Sequence, residues 1–177
     1  MDLMSLAEFE LLDAGVDEVE LLRGRLIRFP PLERRHMEIC MRLFLMLHAA
    51  LESWKRGNPD ARIGEVAIEM GYLVSRAPGS WLRPDVSLTH PDQPGERFYE
   101  GAPLVAFEVV SEYDTASRLN MKVAEYLAHG TAEVWVIYPD ARHAWVYRGA
   151  VPEATRETVA IHSDLLPGTE IPLNEIL

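Results

Sequence analysis

The run Leu104-Val105-Ala106-Phe107-Glu108-Val109-Val110 decides the fold. A strand with one wet face alternates apolar and polar residues, and this run does not. It is predicted to be a central strand covered on both faces. Glu108 is then an acid inside an apolar strand. A buried carboxylate needs a proton, a cation or hydrogen bonds to offset its desolvation.

Upstream, Arg83-Pro84-Asp85 heads an alternating run, Val86-Ser87-Leu88-Thr89-His90, predicted as a strand over 85–90. A Pro- and Gly-containing loop over 91–103 joins it to the central strand. A connection of this length predicts antiparallel neighbours, which sets Asp85 beside Glu108 or Val109. Two adjacent carboxylates repel unless a cation sits between them. Oxygen donors favour a hard divalent ion, Mg²⁺ or Mn²⁺, and the Val109 carbonyl is a candidate third ligand.

Downstream, Asp114 or Thr115 can cap a helix that runs to His129 and stops at Gly130. Lys122 lies on it with Leu119 and Tyr126 three and four residues away, at the edge of the buried stripe. Among 17 Lys and Arg residues only Lys55 and Lys122 are lysines. A lysine in a chain that otherwise uses Arg points to a need for a compact ammonium. It would stabilise developing negative charge or orient a water. Two carboxylates, a divalent ion and an amine suit metal-assisted hydrolysis.

The rest of the chain supplies the frame. Ser5 and Glu8 form a capping box that opens a short helix through Leu11-Leu12, ending near Gly15. Arg23-Gly24 is a hairpin turn between strands at 19–22 and 25–29. Residues 32–56 read as one helix, with Met37, Cys40, Phe44, Leu47, Leu51 and Trp54 forming an apolar stripe. One or two strands are expected over 62–65 and 67–74, a loop over 75–82, and strands at 133–138, 144–148 and 158–161. A short turn closes the chain at 173–177. This order predicts an α/β (α+β) chain, a central mixed β-sheet flanked by helices, in one domain over 1–177.

Composition narrows the function. The net charge of -11 argues against a surface coated in basic residues. The single Cys40 excludes an internal disulfide and fits a reducing compartment. No apolar run approaches the roughly 18–20 residues of a membrane helix, and no secretory signal is evident, so a cytoplasmic protein is expected.

Pro84-Asp85, Glu108-Val109-Val110-Ser111, Asp114-Thr115-Ala116, Lys122-Val123-Ala124-Glu125-Tyr126-Leu127, Gly130 and Val134-Trp135-Val136-Ile137 together resemble a bacterial restriction-endonuclease family of the PD-(D/E)XK nuclease superfamily. The likeness extends to Glu20, to Arg23-Gly24-Arg25-Leu26, to His36 and to Leu165-Leu166-Pro167-Gly168. It implies a restriction-endonuclease-like core acting on DNA with Mg²⁺ or Mn²⁺, and a homodimer. It implies that Asp85 and Glu108 bind metal and that Lys122 is the catalytic lysine. The superfamily's usual lysine position, two after the Glu, is Val110 here; Lys122 on the next helix fits a variant arrangement. Glu20 is a further candidate to approach the metal, and His36 to contact a phosphate or a water.

Arg23, Arg25, Arg28, Arg34, Arg35 and Arg42 face only Glu33 and Glu38 nearby in sequence, and make a candidate phosphate-binding face. Plainer readings stand beside these. Glu108 and Lys122 can form a buried ion pair, Glu20 can be a solvent-facing strand residue, and the arginines can be ordinary surface. A nuclease fold kept for binding or regulation, without turnover, is the alternative function.

Overall fold

The computed structural model describes residues 3–12, 18–59, 63–149, 153–166 and 168–177. In chain order its elements are α1 (Leu6–Glu10), β1 (Val19–Leu22), β2 (Arg25–Arg28), α2 (Arg34–Gly57), β3 (Val66–Ile68), β4 (Tyr72–Arg76), β5 (Gly79–Leu82), β6 (Val86–Leu88) and β7 (Tyr99–Glu100). Then follow β8 (Val105–Val109), α3 (Ala116–Ala128), β9 (Glu133–Tyr138), β10 (His143–Arg148), β11 (Glu153–Glu157), β12 (Ala160–His162), β13 (Glu170–Pro172) and α4 (Leu173–Ile176).

The central sheet has six strands in the order β11-β10-β9-β8-β6-β3. It is mixed: β8 runs antiparallel to β6 and parallel to β9. The parallel pair requires a crossover, and α3 provides it. Every residue of β8 is buried, as its uninterrupted apolar pattern predicts. Its side chains alternate between two cores. Val105, Phe107 and Val109 pack with Ile39, Leu43 and Leu47 of α2. Ala106 packs on the other face with Leu119, Val123 and Tyr126 of α3. Glu108 shares that second face, which is why the helix carrying Lys122 meets it.

A second, five-stranded sheet has the order β2-β1-β5-β4-β7. Its β1–β2 hairpin closes through Arg23 and Gly24, at φ 50° and 74°. Both residues at positive φ is the geometry of a two-residue hairpin turn, and Gly24 adopts it without steric cost. Leu22, Tyr72 and Leu82 of this sheet join the core under α3.

The structure departs from the sequence reading in four places. Residues 75–82 are not a loop: β4 and β5 form a hairpin, with Trp81 and Leu82 buried. Only Ala77 and Pro78 make the tight turn between the two strands. The strand expected within 62–65 begins at Val66, with Arg62 outside the described residues. The short first helix ends at Glu10, before the expected Gly15, which also lies outside them. The strand expected over 158–161 is replaced by β11 and β12 on either side of 158–159. Thr115, not Asp114, caps α3 by accepting from the Arg118 N–H. The Asp114 carboxylate accepts from Ser111 instead.

Candidate functional site

A cleft of about 440 Å³ opens beside the end of β8. Glu20, His36, Asp85, Glu108, Val109 and Lys122 all line it. These residues come from β1, α2, the approach to β6, β8 and α3, so the cleft gathers side chains 102 positions apart.

Register explains the central pair. Val86 stands opposite Phe107, and continuing that pairing sets Asp85 opposite Glu108 and Pro84 opposite Val109. Proline has no N–H, so Pro84 cannot donate to the Val109 carbonyl. The Val109 N–H turns to Asp85 Oδ2 at 2.5 Å. Asp85 Oδ1 lies 3.0 Å from His36 Nε2. Burial alone would lower the His36 pKa, but the Asp85 hydrogen bond and charge outweigh it and raise it.

Lys122 is 4% exposed and lies between two acids. Its Nζ donates to Glu108 Oε2 at 2.8 Å and to Glu20 Oε1 at 3.0 Å. The Tyr126 hydroxyl donates to Glu108 Oε1 at 3.0 Å. Burial pushes the Glu108 carboxyl to about 8; Lys122 pulls it down, while Asp85 and Glu20 push it further up. Burial would lower Lys122, but Glu108 and Glu20 more than offset this, and it is held as an ammonium. The ion pair foreseen as the plain reading is therefore present, with Glu20 as a third member. Glu20 is buried at 2% exposure rather than solvent-facing. Its Oε1 also accepts the Arg83 N–H at 2.8 Å.

Do these residues fit a divalent ion? Glu20 Oε2 is buried and has no hydrogen-bond partner among the described residues. An orphaned carboxylate oxygen at a cleft wall is costly without a further ligand. Each oxygen of Asp85 and Glu108 keeps a lone pair beyond the bond it accepts. Three carboxylates and a carbonyl without a ladder donor make a hard oxygen donor set, which suits such an ion.

Glu69 is a site residue the sequence reading missed. It lines the cleft at φ 51°, its N–H donating to the Asp85 carbonyl at 3.1 Å. Burial and the Asp85 charge push its carboxyl up to about 7, against Arg83 and His36. The sequence reading gives Tyr126 no role of its own. Its position four residues on, on the same helical face, is the signal that would have found it.

The arginines do not gather on one face. Arg23 donates to the buried Glu125 at 2.6 Å, and Arg34 pairs with Glu38 at 2.7 Å on the exposed side of α2. Arg35 pairs with Asp140 at 2.7 Å and is the member of the group that lines the cleft. Arg25 is exposed on β2. The opposing acids Glu125 and Asp140 are far away in sequence, so they were invisible to a local charge count.

A mixed sheet flanked by helices, with carboxylates from neighbouring strands at the rim of one cleft, is a restriction-endonuclease-like fold. The chain belongs to the Uma2 family, described as "Putative restriction endonuclease", whose family model matches residues 6–174. Its backbone is similar to the crystal structure of "a putative nuclease belonging to DUF820" from Anabaena variabilis ATCC 29413. The TM-score is 0.78 at 20% identity, over 98% of this chain and 97% of that one. At that identity the likeness establishes the fold. No curated protein matches the chain.

Proposed function

We propose that this chain is a divalent-cation-dependent endonuclease that hydrolyses DNA phosphodiester bonds. The observation that carries this reading is the buried pair Glu20 and Glu108, both bonded to Lys122, with the partly buried Asp85 beside Glu108 and with Glu20 Oε2 lacking a partner among the described residues. Asp85, Glu108 and the Val109 carbonyl would hold Mg²⁺ or Mn²⁺, with Glu20 alongside. Such an ion supplies polarisation of the phosphate and a water of lowered pKa.

The chain's own groups do the rest. Lys122, fixed as an ammonium by two carboxylates, faces negative charge developing on phosphate oxygens and orients the attacking water. His36 holds the Asp85 carboxylate in place and is near enough to the cleft to contact a phosphate. The Tyr126 hydroxyl fixes the Glu108 carboxylate. Arg35, the arginine of that group at the cleft, would meet the DNA backbone. We take the working form as a cytoplasmic homodimer; a monomer mass by light scattering would remove the dimer.

A binding or regulatory protein without turnover is the rival, and one observation favours it. Nine carboxylates line the cleft against three Lys or Arg residues, a field that repels a polyanion unless cations fill it. Supercoiled plasmid incubated with Mg²⁺ or Mn²⁺ separates the two. Cleavage by the wild type and none by Asp85→Ala is expected. Cleavage by neither protein, or equal cleavage by both, overturns the assignment.

A further inference from the structure

We propose that His36, Cys40, Glu69 and Asp85 form a distinct Zn²⁺ site, and that Zn²⁺ bound there competes with the Glu108-side cation for Asp85. The binding claim stands on its own geometry; only the competition rests on the reading above.

The four donor atoms, an imidazole nitrogen, a thiol sulfur and two carboxylate oxygens, all lie within 4.8 Å of one another. A tetrahedral zinc shell spaces such ligands by roughly 3.3–3.7 Å, given metal–ligand distances of about 2.0–2.3 Å. A contraction of about 1 Å by side-chain rotation would close it. His36 and Cys40 are four residues apart on α2 and present their side chains on one face. Cys40 is the only cysteine in the chain. The mixed donors discriminate among metals. Sulfur and nitrogen favour zinc, whereas Mg²⁺ takes oxygens.

An independent observation points the same way. Glu69 Oε1 is buried with no hydrogen-bond partner among the described residues. Its other oxygen, Oε2, is held 3.3 Å from Arg83 Nε. The second oxygen of Asp85 is likewise held, by the Val109 N–H. Each carboxylate is thus anchored through one oxygen and can present the other, as groups around a metal ligand commonly arrange it. His36, Glu69 and Asp85 line the cleft and offer a route in; Cys40 lies buried one helical turn along.

The binding step balances simply. The Cys40 S–H bond breaks heterolytically as the S–Zn bond forms, and the proton leaves to solvent. The His36–Asp85 contact is replaced by two bonds to the ion. No redox change occurs. Asp85 is then committed to zinc, and the Glu108 side loses a ligand.

The test uses Co²⁺ as a spectroscopic stand-in on the EDTA-treated full chain. Expected is a near-ultraviolet thiolate-to-cobalt absorption band that saturates at one equivalent and is bleached by equimolar Zn²⁺. Cys40→Ala abolishes the band, and Glu69→Gln weakens Co²⁺ binding by about tenfold. Glu108→Ala keeps the band, so failure of the nuclease reading would leave this site intact. Absence of the band from the wild type overturns the site. So does a band that survives Zn²⁺ or one whose titration is unchanged in Glu69→Gln.

Discussion

Replacing Lys122 by Met would expose how the site is held together. The ammonium is buried and bonded to Glu108 at 2.8 Å and Glu20 at 3.0 Å, both themselves buried. Met keeps the length and removes the charge. Breaking a buried pair by deleting one partner costs about 3–5 kcal/mol, because the remaining charge stays uncompensated. For a domain of this size each kcal/mol moves Tm by about 2–4 °C, so the loss is roughly 6–20 °C. The penalty depends on pH, and its sign follows from Glu108. Burial, then Asp85 and Glu20, raise its carboxyl above the ordinary 4.5, and Lys122 is the group that opposes them. Without Lys122 the folded pKa rises further. A group with a raised folded pKa contributes stability below its unfolded value and loses it as pH climbs through the folded one. Lys122→Met is therefore destabilised most at pH 8 and least near pH 5, where Glu108 takes up a proton. Urea unfolding in EDTA at both pH values measures this. A loss below about 1 kcal/mol at pH 8, or an equal loss at both pH values, would refute the argument.

Two further variants test the surroundings. Glu69 has a folded pKa raised to about 7 from 4.5 by burial and by Asp85, so its contribution to stability is lost as pH rises between those values. Glu69→Gln, which is always neutral, should gain Tm relative to wild type on going from pH 5 to pH 8 in metal-free buffer; a difference that stays flat contradicts this. Leu43 of α2 is 0% exposed in the core beneath β8. Leu43→Ala should cost about 2–5 kcal/mol in chemical denaturation, and a cost under about 1 kcal/mol would place the main core elsewhere.

Much of this was legible in sequence because the signals were local. An apolar run without alternation marked β8 as doubly covered, and the strand is buried throughout. A loop of ordinary length marked β6 and β8 as antiparallel neighbours, and they pair that way. Arg23-Gly24 named its own turn. The reading failed where a local signal had two meanings or where the partner was remote. Residues 75–82 read as a loop, though only Ala77-Pro78 turns between β4 and β5, because the burial of Trp81 is set by contacts with Phe9 and Phe98. Glu69 sits in an unremarkable run and becomes a cleft residue only through a positive φ and the nearby Asp85 carbonyl. The arginines looked free because Glu125 and Asp140, which bind Arg23 and Arg35, lie about 100 residues away. The Glu108–Lys122 contact was foreseen, but the second carboxylate beside Lys122, Glu20, comes from the other sheet, which no spacing encodes.

Calorimetric titration of the metal-free protein with Mn²⁺ asks most directly whether Asp85 and Glu108 are a cation site as well as parts of an ion-pair lattice. With Asp85 and Glu108 as ligands, the wild type binds Mn²⁺ and Glu108→Ala binds it at least about tenfold more weakly, or not at all. Mn²⁺ affinity unchanged by Glu108→Ala, in a variant that remains folded, would contradict the central claim and leave Glu108 as a purely structural partner of Lys122.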